Sequence, residues 1–263
     1  MRTPLLIAIL AFSVALGQES YDQLVRHWDY DKSAPLNIKQ AGVRDQDGVK
    51  IYDISYSGPV GDRGPAVGPN GGVVTAYLVV PSGVGPFPAV VYGHWCMPGS
   101  DKKNRLEFLD EAVVLARSGV TSLLPDHVIV HPGFVEDNTP LNEKQIAVEV
   151  QQEVNLRRGV DLLVARKDVD PKRIAYVGHS CDAVAGGFLS GIDKRFRAFV
   201  IMAGGFQTRS IKRQRHTKTI GKRSGRPGSM PLRPSIRGWI LASMSRTRVP
   251  PPCSCSLQLM SPF

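Results

Sequence analysis

Five consecutive residues, Gly178-His179-Ser180-Cys181-Asp182, stand between a β-rich run, Arg173 to Val177, and a small-residue stretch of helical character, Cys181 to Ser190. A serine at a sharp strand-to-helix turn projects its hydroxyl from the carboxyl end of a sheet, where the helix N-terminus favours negative charge. Such a hydroxyl can attack an acyl carbonyl and form an acyl-enzyme, with backbone N–H groups binding the oxyanion. Gly-x-Ser alone says little, because composition predicts about one in a chain this long. The strand that ends at the motif and the helix that begins in it make Ser180 the candidate nucleophile.

Other chemistry-bearing residues read as structural or surface positions. His127 and His131 are four apart, but Val128-Ile129-Val130 between them favour an extended chain, in which that spacing builds no helical metal pair. His179 adjoins Ser180, yet on a tight turn its ring cannot face the hydroxyl as a general base, so it is expected to pack. No cofactor or metal motif is found.

The elements that would position Ser180 follow from periodicity. Ile51 to Ser57 and Val73 to Val80 are predicted antiparallel strands, and Ala89 to Tyr92 is an apolar strand after the turn-rich Pro81 to Pro88. A helix is predicted over Arg105 to Arg117, with Leu106, Leu109, Val113 and Ala116 on one face, then a buried strand, Val120 to Leu124. A longer helix from about Asn142 to Arg166 places Ile146, Val150, Val154, Val160 and Leu163 at helical spacing. Arg173 to Val177 and Ala198 to Met202 are strands around the Cys181 to Ser190 helix. Alternation of this kind implies an α/β fold, a mostly parallel sheet with helices on both faces.

Ala76-Tyr77-Leu78-Val79-Val80-Pro81, Pro86-Phe87-Pro88-Ala89-Val90-Val91-Tyr92-Gly93-His94, Asp168-Val169-Asp170-Pro171-Lys172-Arg173-Ile174 and the Ser180 turn occur in an order that resembles dienelactone-hydrolase-like α/β-hydrolases of the secreted bacterial type. The resemblance runs from about Ile51 to about Gly205. It implies a cofactor-free serine hydrolase of small-molecule esters or other acyl substrates. Ser180 would be the nucleophile, the Cys181 amide one oxyanion donor, and Trp95, in the loop around His94 to Cys96, the second. Two positions differ from the family pattern. Many members named for dienelactone carry cysteine as nucleophile, whereas Cys181 comes one place later, pointing into the helix. The residue two after the nucleophile is usually glycine, whereas Asp182 adds bulk and charge beside the site. Cys96 and Cys181 follow strands that neighbour each other in the family's strand order, so a disulfide between them is an open alternative in an exported chain.

The family places its acid and then its histidine after the nucleophile. Beyond Gly205 there is no Asp or Glu, and the one later histidine is His216. Residues 207–263 hold 12 Lys or Arg, which leaves 21 basic against 23 acidic residues in the first 206, so the net charge of +10 belongs to this tail. It lacks periodicity and apolar content and is expected to be disordered. Cys253 and Cys255 lie within it and carry no inference.

A reading-frame slip accounts for the break. Read from each third base, Trp239-Ile240 must encode Asp, Val249 to Pro252 give three small residues, and Pro252-Cys253 and Ser254-Cys255 each give Leu, Val or Met. That succession resembles the segment before the family's catalytic acid. Leu259-Met260 would then give one of four residues including Asp, and the histidine would lie beyond. Sequencing the DNA around codons 205 to 215 decides it, since an intact, unambiguous frame ends the idea.

The expected organisation is therefore a signal peptide over 1–17, an α/β-hydrolase domain over 18–206 lacking its last strands, and the tail. Arg2, the apolar run Leu5 to Leu16, and Ala15 and Gly17 before Gln18 support export to a secreted or periplasmic location, and no other stretch approaches a transmembrane span. A rival reading, a non-catalytic protein whose basic tail engages nucleic acid or anionic surfaces, lacks aromatic interleaving and any spacing that would suit it.

Overall fold

A computed structural model describes residues 20–58, 72–95, 104–130 and 143–204. The proposed signal peptide, Cys96, His131, His216 and the tail from Gln207 lie outside the described residues.

A short helix α1 (Tyr21–Val25), closed by a Ser20–Gln23 capping box, leads into strands β1 (Lys39–Gln46) and β2 (Val49–Ser57). Then follow β3 (Val73–Val80), β4 (Phe87–Gly93), helix α2 (Leu109–Ala116), β5 (Thr121–Pro125), helix α3 (Glu143–Val164), β6 (Val169–His179), helix α4 (Cys181–Ile192) and β7 (Phe196–Met202). One seven-stranded sheet has the order β1-β2-β3-β5-β4-β6-β7. β1 and β3 run against their neighbours, and the other five strands share one direction. The sheet is thus mostly parallel, with β7 its last strand among the described residues.

Two apolar layers cover its faces. Leu156, Val160 and Leu163 of α3 and Ala185 and Leu189 of α4 pack on one face with Leu123, Ile174 and Tyr176. Leu109, Ala112, Val113 and Ala116 of α2 pack on the other with Val90, Tyr92 and Val177. The central strands are apolar on both faces because each face is covered.

Two sequence expectations are corrected. The Arg105–Arg117 helix is a 3₁₀ turn, Asn104–Leu106, followed by α2 from Leu109, and Leu106 is exposed. Arg105 breaks the pattern: its guanidinium pairs with Asp53 at 2.8 Å and Asp126 at 3.3 Å and lies over the Tyr77 ring. Val128–Val130 is a 3₁₀ turn rather than extended chain. There the β-branched preference yields to tertiary contacts: Val128 is buried, and its N–H donates to Gln152 Oε1 at 3.2 Å.

Candidate active site

β6 runs into Ser180 and α4 begins at the next residue, so the chain reverses within a single position. Ser180 adopts φ 56°, ψ −112°, a left-handed conformation that costs a non-glycine residue about 1–3 kcal/mol. It is held there from both sides: its N–H donates to Met202 O at the end of β7 at 2.9 Å, and its carbonyl accepts from Ala183 N–H at 3.2 Å. Glycine at 178 is required by the tightness of the turn, since a Cβ there would overlap the Asp182 carbonyl and lie 2.7 Å from Tyr176 Cε1. Ser180 itself is half-buried at the carboxyl end of β6, on the rim expected for a nucleophile.

The end of β4 lies beside this turn, Gly93 pairing with Gly178. Two consecutive amides there each meet a carboxylate. His94 N–H donates to Asp182 Oδ2 at 2.8 Å, and Trp95 N–H donates to Glu107 Oε2 at 2.8 Å. Each carboxylate also faces a histidine. His127 Nε2 lies 3.6 Å from Asp182 Oδ1, while its Nδ1 accepts from Ile129 N–H at 3.2 Å; Glu107 Oε1 meets His179 Nδ1.

The two carboxylates differ in access. Asp182 is fully buried and also accepts from Gln152 Nε2 of α3 at 3.2 Å. Burial pushes its carboxyl up to about 8, and the hydrogen bonds from His94 and Gln152 offset only part of that. The His94 ring, buried and stacked on Phe108, is pushed down to about 3 by burial and by His127, so it is neutral. Glu107 is partly open to solvent.

No family model matches the chain, and no curated protein matches it. Among solved structures, acetyl xylan esterase 1 from Thermoanaerobacterium sp. JW/SL YS485 superposes with a TM-score of 0.50 at 15% identity, covering 68% of this chain and 56% of that one. The fold is that of the α/β-hydrolases. An acetyl xylan esterase from Paenibacillus sp. R4 (TM-score 0.48, 18% identity, 65% and 54% covered) and a glucuronoyl esterase from Solibacter usitatus (0.45, 17%, 68% and 55%) are also similar. The chain spans little more than half the length of these structures.

Within this α/β-hydrolase sheet, the structure brings Ser180, Cys181 and the Trp95 loop to one end. Cys181 is disulfide-bonded, with its Sγ 3.4 Å from His94 O; Cys96 is outside the described residues. His179 packs edge-on to Phe108, as a packing residue would, and also binds Glu107. Glu107 was missed in the sequence because it sits in a predicted helix, and nothing in its spacing marks it as reaching the β4 loop. Asp182 had a signal, its place two after the serine, but that position suggested crowding. The room comes from Gly93, where a Cβ would lie 2.6 Å from Asp182 Cβ.

Proposed function

We propose that the chain is a serine hydrolase of the dienelactone-hydrolase-like kind, cleaving ester or other acyl substrates through an acyl-enzyme on Ser180. One observation carries the proposal: a serine held at φ 56° between a central parallel strand and a helix N-terminus. The fold supports it, because in open α/β sheets ligands meet the carboxyl ends of the strands. Ser180 Oγ attacks the acyl carbon, the alcohol leaves, and water then frees the acid. The Cys181 amide, in the first turn of α4, is one oxyanion donor and Trp95 the other, the latter once Glu107 yields its N–H. Export follows from the leader-like residues 1–17. No helix among the described residues is long and apolar enough to cross a membrane.

A slow turnover is expected of this sequence, because the residues beyond Gly205 offer no Asp or Glu and one histidine, His216, for the acid and histidine that the family's order places after β7. An esterase that lacks such partners retains some rate from its oxyanion donors. The test is hydrolysis of p-nitrophenyl acetate by this chain and by Ser180→Ala. A slow rate that falls at least about tenfold in the variant is expected; equal rates remove Ser180 as the working nucleophile.

A further inference from the structure

Asp182 stands where an α/β-hydrolase elbow ordinarily has no side chain, and it is joined to each neighbouring element by a separate contact. Its Oδ2 accepts from His94 N–H at the end of β4, and its Oδ1 and Oδ2 accept from Gln152 of α3 at 3.2 and 3.3 Å. Its Oδ1 faces His127 after β5, and its own carbonyl accepts from Tyr176 OH of β6 at 2.6 Å. The surrounding sequence makes space for this arrangement. Gly93 and Gly178 both stand where a Cβ would overlap Asp182 or Tyr176.

Asp182 is two residues from Ser180 in the first turn of α4, and His94 is the residue before Trp95. Past the last backbone pair, Gly93–Gly178, one carboxyl group therefore ties the helix that carries one proposed oxyanion amide to His94, the neighbour of the other. A carboxyl serving only to fill space would have no reason to meet His94 N–H, and Gly93 could have been a larger apolar residue had the site been apolar.

We propose that Asp182 is a positioning residue for the reaction at Ser180, holding the loop after β4 against α4 through His94 N–H so that the two oxyanion donors keep a fixed separation. This rests on the hydrolase reading. Displacement of an oxyanion donor by about 1 Å costs on the order of 100-fold in the chemical step, while substrate binding is little changed.

The test uses the full chain and an alkyl fluorophosphonate, whose covalent capture by Ser180 is followed by intact mass. In Asp182→Ala the maximal labelling rate is expected to fall about 10- to 100-fold with half-saturation unchanged within about threefold. Asp182→Asn, which keeps an acceptor for His94 N–H, is expected to recover to within about threefold of the parent rate. In parallel, amide exchange by NMR reads the clamp itself: His94 N–H loses protection in the alanine variant and keeps it in the asparagine one. Should the alanine chain fail to fold, Asp182→Ser answers the same question, its hydroxyl being too short to reach His94. Full labelling with unchanged His94 protection in the alanine or serine variant overturns the positioning role alone. Failure of the parent chain to label, or labelling that persists in Ser180→Ala, overturns the hydrolase reading and this role with it.

Discussion

Helix α3 carries two buried polar clusters, and they handle charge in opposite ways. In its first half, Gln152 donates to Asp182, and Glu153 accepts from the Trp28 indole. These carboxyls meet amides, an imidazole and an indole rather than a guanidinium, and burial pushes both Asp182 and Glu153 up to about 8. In its second half, Arg157, Arg158 and Asp161 join Asp193 and Arg195. Arg157 bonds Asp193 at 3.2 Å and Trp28 O at 2.5 Å, and Arg158 bonds Asp161 at 3.1 Å and the carbonyls of Lys32, Ala34 and Ser57. Burial pushes Asp193 up, but hydrogen bonds and charge from Arg195 bring it below its ordinary value. A buried charge that meets its opposite fastens the N-terminal arm, residues 28–34, to the domain. Of the two carboxyls that burial pushes up, Asp182 lies instead beside the elbow, and Glu153 meets the Trp28 indole without a cation.

The largest effect expected from breaking this contrast is at Arg158. Its side chain is almost wholly buried, and truncation takes its donor from three carbonyls and leaves Asp161 to Tyr30 and Arg195. Arg158→Ala is therefore expected to lower unfolding stability by about 3–5 kcal/mol, read from urea midpoints, with early proteolysis in the arm around residues 28–34. A loss below about 1 kcal/mol would mean that apolar packing, not this cluster, holds the arm.

A second prediction sharpens the contrast through pH. Asp182 has a folded pKa above its unfolded value, so the native state binds the extra proton between about 4 and 8, and stability falls as pH rises through that window. Asp193 has a folded pKa below its unfolded value, so its contribution is present above about 4 and lost on further acidification. Melting temperatures of the parent, Asp182→Asn and Asp193→Asn from pH 3 to 9 separate the two. Asp182→Asn should lose less stability than the parent between pH 5 and 8, and Asp193→Asn should lose less below pH 4. Parallel curves throughout would show that the two clusters do not differ in the way described.

The sequence revealed the apolar half of this architecture more readily than the polar half. β3 spans Val73–Val80 as predicted, and β2, β4, β5 and α4 lie within a few residues of expectation, because alternation and apolar runs report burial directly. β1 was missed: Lys39–Gln46 is a largely exposed edge strand whose one bulky apolar residue is Val43, so no period marks it. In α3 the spacing of Val154, Val160 and Leu163 pointed to one buried face, yet Ile146 is exposed and every residue from Gln151 to Val160 is buried. No periodicity could show this, because the arm that covers Arg157 and Arg158 is distant in sequence. At the site, Ser180 was legible from its flanking strand and helix. Asp182 and Glu107 were not, since each acts on backbone N–H groups that are anonymous in a sequence.

The smallest expected effect is at Glu107, the carboxylate that mirrors Asp182 across the β4 loop. Both accept from consecutive amides at 2.8 Å, but the Asp182 side chain is 1% exposed, whereas Glu107 is 17% exposed and its partner His179 36%. Water can therefore replace much of what Glu107 supplies to Trp95 and His179, which it cannot do for Asp182. Glu107→Gln keeps an acceptor for Trp95 N–H and replaces the oxygen that meets His179 Nδ1 with an amide NH2. The expected cost in thermal or urea unfolding is below about 1 kcal/mol, less than that of Asp182→Ala measured alongside. If instead the two variants unfold the protein equally, solvent access does not set the difference between the two sides of the elbow. Glu107 and His179 would then have to be regarded as a structural pair on a par with the sealed one.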